Sequence, residues 1–272
     1  MSGTVTRPVV VGMNGSHKSL GALRWAAKEA VVRDTTLVLF QACLFETPGH
    51  DGSEDAELLL EHVYRWNRHA AGLARSIAPG VEVEVKIRLG LAPDLLLAES
   101  VLASLLVLGA RGHGRVREAA VTSAVVAKAR CPVVVVRGRY GARGSVVVGV
   151  SASSSSEQAL RFALDAAAVR GAPAHVVHVW HDATFLRFGT RSLTRASAER
   201  RSLEDRVAGW ARKYPGLRIT AEALRDRKPS HALTRAVPDA LMIVIGSSGR
   251  GAVGSTGSDL LAQANCPVVV VH

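Results

Sequence analysis

Cysteine, aromatic residues and long apolar runs are all scarce in this chain of 272 residues, and each scarcity removes a class of function. Three cysteines do not make a disulfide framework. The longest apolar stretch, Leu91 to Ala110, is broken by Pro93, Asp94 and Glu99, short of the ~18–20 residues a membrane span needs. The opening residues lack the apolar core of a signal peptide, so a cytoplasmic protein with no membrane partner is expected. Aromatics make up 4% of the chain, and no basic run carries the aromatic interleaving of a single-strand nucleic-acid platform. Lysine is also rare: 6 of the 34 basic residues, the rest being arginine. The net charge of +11 attracts anions in general, and a solvated arginine-rich surface is favoured over a nucleic-acid face.

What is present is one pattern written twice. Val10-Val11-Gly12 and Ala22-Leu23-Arg24-Trp25-Ala26 recur, displaced by 137 positions, as Val147-Val148-Gly149 and Ala159-Leu160-Arg161-Phe162-Ala163. Gly109, Gly112 and Gly114 recur as Gly246, Gly249 and Gly251. Cys131-Pro132 and four valines recur, displaced by 135, as Cys266-Pro267 and four valines. Each copy is long enough to bury its own core and is a control for the other. The boundaries read as 1–138 and 145–272, with a glycine-rich basic linker over 139–144. Cys131 and Cys266 read as small apolar residues opening buried strands, with a redox pair across the halves as the alternative; Cys43 has no partner in the repeat.

Within the first copy, apolar runs at Arg7–Gly12, Thr36–Ala42 and Leu105–Leu108 and the valines at 133–136 predict buried strands. Val81, Val83, Val85 and Ile87 alternate with charged residues and predict a half-exposed strand. Helices are expected after Asn14-Gly15-Ser16, over Ala56–Ile77, from Pro93, and through Ala124–Ala129. The second copy repeats the order, with strands at Val146–Gly149, Ala174–Trp180, Leu217–Leu224 and Leu241–Ile245 and a helix over Gln158–Arg170. Five strands alternating with helices, twice, predict an α/β protein of two doubly wound, five-stranded parallel-sheet domains. Such sheets bind ligands beyond the carboxyl ends of their strands, where the loops after the first and fourth strands meet.

The loop after the second copy's fourth strand, Gly246 to Ser258, has the chemistry of a phosphate cradle. Glycines admit backbone amides to an anion, a helix N-terminus follows, and Ser255, Thr256 and Ser258 bring hydroxyls. The competing reading is a tight strand-to-helix turn that needs glycine for geometry alone. Gly249 to Gly254 also spells G-x-G-x-x-G, but after the fourth strand and without an acidic residue to hold a ribose, so a dinucleotide site is set aside. No G-x-x-x-x-G-K-[ST] sequence occurs.

The two five-stranded units, the Gly-x-x-Gly loops, the Cys-Pro-Val-Val-Val-Val ends and the start Val-Val-Val-Gly-Met-Asn-Gly-Ser together resemble a tandem universal stress protein over nearly the whole chain. The resemblance implies a Rossmann-like, adenine nucleotide alpha hydrolase-like fold, with the copies packed as a pseudo-dimer through their terminal valine strands. It also implies ATP as cofactor, since the family's binders carry G-x2-G-x9-G-[ST] in the fourth-strand loop and an aspartate after the first strand. Carried over residue by residue, it places nucleotide contacts at Gly12, Asn14, Gly15, Ser16, Ala42, Gly109, Gly112 and Gly114 in the first half. In the second half it places them at Ser151, Ser153, Val179, Gly246, Gly249, Gly251, Gly254, Ser255 and Thr256. Neither half keeps the whole motif. Asn14 stands where the aspartate belongs, at a cost of ~1 kcal/mol, and Ala119-Ala120 stand where Gly-Ser belongs. The second half keeps Gly254-Ser255 with a shortened spacer, but its first loop reads Ser151-Ala152-Ser153. The second half is therefore expected to be the better anion cradle and the first the better adenosine pocket.

His175, His178 and His181 invite a metal reading, but spacing along a strand sends them to different faces, so core or rim histidines are expected. His113 reads as a solvent-facing loop histidine, and Ser153–Ser156 as cap and turn residues. The resemblance makes Ser255 or Thr256 a phosphoacceptor candidate if ATP binds. No catalytic constellation is visible, so no enzyme is expected. The sequence reads as an ATP-responsive regulatory switch that meets protein partners and copies of itself. A nucleotide-independent interaction scaffold is the alternative.

Overall fold

The computed structural model describes residues 6–44, 53–110, 116–138, 144–151, 153–181, 190–247 and 254–272. The expected site residues Gly112, Gly114, Gly249 and Gly251, together with His113, lie outside them. The chain divides into two compact units, residues 1–137 and 138–272.

The first unit runs β1 (Val9–Met13), α1 (His17–Val32), β2 (Leu37–Cys43), α2 (Ser53–Ile77), β3 (Val83–Leu89), α3 (Ala92–Leu102), β4 (Leu105–Gly109), α4 (Val116–Lys128) and β5 (Val133–Val136). All its strand pairs are parallel, in the order β3-β2-β1-β4-β5. The second unit runs β6 (Val146–Val150), α5 (Ser154–Arg170), β7 (Ala174–Trp180), α6 (Thr190–Ala211), β8 (Ile219–Arg225), α7 (Pro229–Ala236), β9 (Met242–Gly246), α8 (Ser255–Gln263) and β10 (Val268–Val271). Its order, β8-β7-β6-β9-β10, is the same and also parallel. This is the doubly wound α/β arrangement the alternation of elements predicts.

Burial explains the order. β4, β5, β9 and β10 have almost wholly apolar sequences, and their valines and leucines are nearly all withdrawn from solvent, as strands covered on both faces require. β3 and β8 alternate apolar with charged residues and have no buried position, so they sit at the sheet edges. Several expected boundaries shift by a few residues. Val81 belongs to the turn before β3, its N–H donating to the Ala78 carbonyl at 3.1 Å. The helix expected from Ala124 begins earlier, at Val116. Pro93 and Pro229 each sit in the first turn of α3 and α7, where proline's missing N–H has no partner to lose. Among the described residues, no helix is long and apolar enough to cross a membrane.

The two copies leave their first helix by the same left-handed step. Asp34 (φ 49°) occupies the place of Gly171 (φ 59°). Thr35 donates its N–H to Ala30 O, and Ala172 to Ala167 O, both at 3.0 Å, the long bond of a helix-ending turn. One copy thus places a Cβ where the other has none. Asp34→Gly is expected to raise stability by about 1 kcal/mol and Gly171→Asp to lower it comparably, read by chemical unfolding.

All three cysteines are free and buried. Burial raises the Cys43 thiol pKa, and burial, outweighing a backbone hydrogen bond with Leu106 and the charge of Arg7, pushes Cys131 up to about 12. The reactive species is the thiolate. At pH of about 8, Cys131 is expected to resist alkylation in the native protein and to label only after denaturant is added, as read by mass spectrometry.

Candidate nucleotide clefts

In the first unit, β1 and β4 lie side by side and their chains depart to opposite sides, opening a crevice at their carboxyl ends. A cleft of about 210 Å³ fills it. Gly12, Asn14, Ser16, Ala42 and Gly109 line it as expected. Gly15 serves the turn instead: it takes φ +76°, open only to glycine without strain. Around it, the Asn14 side-chain oxygen accepts from the Ser16 N–H (3.1 Å) and hydroxyl (2.7 Å). Ser16 Oγ in turn caps α1 by accepting from the Ser19 N–H at 3.2 Å, a contact worth about 1 kcal/mol. Asn14 therefore closes its own loop.

Most of the first cleft's remaining wall is apolar, from Phe40, Leu96, Leu108 and Val121, and Lys18 is the one cation among its described lining residues. Phe40 was missed from the sequence, although it points to the same sheet face as Ala42, two residues on. Ala119 and Ala120 correct an expectation. Both lie inside α4, which starts at Val116, and the cleft is lined by Val121 and Thr122 instead. The first copy's helix begins four residues before the position equivalent to Ser255.

The second unit's cleft, about 420 Å³, is twice as large. Ser151, Ser153, Val179, Gly246, Gly254, Ser255 and Thr256 all line it, with Ser156, Ser247 and Val177 added to those expected. No described lining residue is charged. Hydroxyls form a chain: Ser151 Oγ to Ser153 Oγ (3.0 Å), Ser153 Oγ to Ser155 Oγ (3.1 Å), and Ser155 Oγ donating to the Ser247 carbonyl (2.6 Å). Two helices begin here, α5 after Ser153 and α8 after Gly254, and neither is closed by its cap's side chain. First-turn residues of both helices, Ser156 of α5 and Ser255, Thr256 and Gly257 of α8, line one cavity, at the end of each helix that carries partial positive charge.

The glycines that end β4 and β9 have a packing duty. A Cβ on Gly109 would fall 2.7 Å from the Lys18 backbone, and one on Gly246 2.7 Å from the Ser155 carbonyl. Both let the first turn of the neighbouring helix press against the strand end. This packing requirement at Gly109 and Gly246 is distinct from turn geometry and stands beside any ligand duty.

The histidines of β7 address separate partners. His175 meets Glu222 (3.1 Å) and Thr220 (2.9 Å) on β8, and His178 meets the Val150 carbonyl (3.0 Å) and Glu199 on α6 (3.3 Å). The serines at 153–156 act as cap and turn groups: Ser156 Oγ accepts the Ser151 N–H at 2.8 Å.

Known proteins agree with this architecture. A universal stress protein of Mycobacterium tuberculosis is 30% identical over 100% of this chain and 98% of its own length. One from Mycolicibacterium smegmatis is 29% identical over 97% and 96%. The crystal structure of a universal stress protein from Archaeoglobus fulgidus superposes with a TM-score of 0.77 at 18% identity, covering 97% of this chain and 95% of that one, a likeness of fold. The universal stress protein family profile matches residues 6–137 and again 143–272, so the chain belongs to the universal stress protein family, with two copies of its domain.

Proposed function

We propose that this protein is an adenine-nucleotide-binding regulatory switch whose two clefts are not equivalent, the second taking the phosphates of ATP. The observation that carries the reading is the convergence of two side-chain-uncapped helix N-termini and a chain of hydroxyls on one cavity of about 420 Å³. A polyphosphate answers all three features: it accepts from N–H groups and hydroxyls, and its charge is favoured at a helix start. The first cleft is half that size, mostly apolar, and has a closed cap on α1. It suits an adenosine moiety, with Lys18 for a single anionic group. Among the described lining residues neither cleft assembles a nucleophile with a base, and binding rather than turnover is proposed. Occupancy then acts by favouring the arrangement that binds nucleotide more tightly, and so changes affinity for protein partners or a second copy.

A nucleotide-independent scaffold is the second reading. It is favoured by the Asn14 side chain, whose oxygen is committed to Ser16, and by Ser151-Ala152 in the second loop.

Native purification, denaturation and chromatography of what is released test the choice, with ATP titrated into stripped protein. Bound adenine nucleotide is expected. Its loss, together with weakening of ATP binding by about three- to tenfold, is expected in Ser255→Ala. Lys18→Ala is expected to leave binding in the second cleft unchanged. No released nucleotide, and no heat at ATP of about 1 mM, would leave the scaffold reading. Gly109→Ala separates packing from binding: it is expected to lower the melting temperature of nucleotide-free protein, because the new methyl meets backbone rather than a movable side chain.

A further inference from the structure

The second copy lacks the asparagine and glycine of the first copy's loop, and side chains from elsewhere help to hold it. In the first copy Asn14, Gly15 and Ser16 form a self-sufficient turn. In the second, Ser151 Oγ meets the Ser153 hydroxyl at 3.0 Å and the Ser153 N–H at a longer 3.4 Å, and no glycine follows it. The Val150–Ser151 peptide is gripped at both ends. Its N–H donates to buried Ser156 Oγ at 2.8 Å, and its carbonyl, from Val150, meets His178 Nδ1 at 3.0 Å. The next carbonyl, of Ser151, accepts from Arg206 Nη1 at 2.9 Å. Val150 and Ser151 both line the second cleft.

His178 faces two acceptors. Nδ1 meets a backbone carbonyl, and Nε2 lies 3.3 Å from the Glu199 carboxylate. Neither partner has a proton to give when Glu199 is ionised, and a neutral imidazole carries one N–H; only the imidazolium donates to both. The charges around it come from each packed element. α6 brings Glu199, with Arg195 3.6 Å from the same carboxylate, and Arg206, bonded to Glu157 of α5 at 2.6 Å. β8 places uncharged Ala223 beside His178, with Arg225 over the Trp180 ring and Glu222 engaged by His175. β6 contributes the Val150 carbonyl. In the first copy the same position is Gln41, whose amide oxygen accepts from Asn67 at 2.6 Å and does not titrate.

We propose that His178 is a positioning residue of the second cleft: protonated on both nitrogens, it fixes the Val150–Ser151 peptide, so the cleft binds its ligand more tightly at acidic than at alkaline pH. The choice of adenine nucleotide as ligand rests on the function proposed above; the state of the histidine does not. Loss of one proton leaves a single N–H for two acceptors, and the Glu199 carboxylate is the stronger of them, so the Val150 carbonyl is the one left without a donor.

The test uses the full chain, with histidine ¹⁵N spectra and MgATP titrations at pH of about 6 and about 8.5. Both His178 nitrogens are expected to be protonated at the lower pH, and ATP affinity to fall about three- to tenfold at the higher one. His178→Gln carries two amide protons, one for each acceptor, and is expected to keep the tighter affinity at both values, whereas His178→Ala is weak at both. An equal fall in His178→Gln, or an unprotonated Nδ1 at the lower pH, overturns the proposal. If no ATP binds at any pH, the nucleotide reading fails by itself. Hydrogen-exchange protection of the Ser151 amide then decides. It is expected to drop at high pH in the wild type relative to His178→Gln, and equal protection in both refutes the role.

Discussion

Everything in each unit depends on one topological constraint: β1 and β4 are parallel neighbours whose chains leave the sheet to opposite sides. β6 and β9 repeat the arrangement. No side chain fills the space between diverging loops, so a crevice opens there by geometry alone. The same parallel order needs helical cover on both faces, which makes the central strands almost wholly apolar. It also directs helix N-termini toward the crevice end, because every helix returns antiparallel to the strands it covers. Core composition, site position and the electrostatic sign of the site are thus consequences of a single strand order. Gly109 and Gly246 belong to this constraint, since the first helix presses onto the fourth strand only where no Cβ intervenes.

Strand identity was legible because burial leaves a direct trace in composition. Continuous valine and leucine mark β4, β5, β9 and β10, and alternation marks β3 and β8 as edges. The loops that meet at the clefts were legible from glycine and serine. The functional state of each loop was less so. That Asn14 turns back on Ser16 depends on side-chain torsions that no spacing encodes. The position of the helix start after the fourth strand was also hidden, because α4 and α8 begin at non-equivalent residues despite aligned sequences. Ala119 and Ala120, which look like a lost Gly-Ser, are helical for that reason. His178 could be assigned to a strand from its apolar neighbours, but its two partners come from β6 and α6, far away in the chain.

Comparing the copies separates local from long-range solutions to one loop. The first copy spends sequence on the loop itself, with an asparagine, a left-handed glycine and a capping serine. Its cap is consequently closed, and the first N–H groups of α1 are partly occupied before any ligand arrives. The second copy gave up the first two of those residues and moved the restraint outward, to Ser156, His178 and Arg206. In the second copy part of the restraint on the loop thus comes from side chains outside it, beside the bonds its own serines make to one another.

That exchange has an energetic consequence. A self-closed turn loses little when the rest of the unit fluctuates, since its bonds span two or three residues. A loop pinned by β7 and α6 has its geometry coupled to elements that pack elsewhere, through bonds worth about 1 kcal/mol each. Anything that shifts α6, or the charge state of its pins, changes the cleft, and by linkage anything bound in the cleft stabilises α6 in return. Glu157 extends the coupling, joining Arg206 to Trp210 on the outer part of α6. Of the two copies, the second is the one whose cleft loop is tied by hydrogen bonds to the long helix on its surface. A regulatory reading of this chain needs such a join, because a ligand that contacts every arrangement equally shifts none of them.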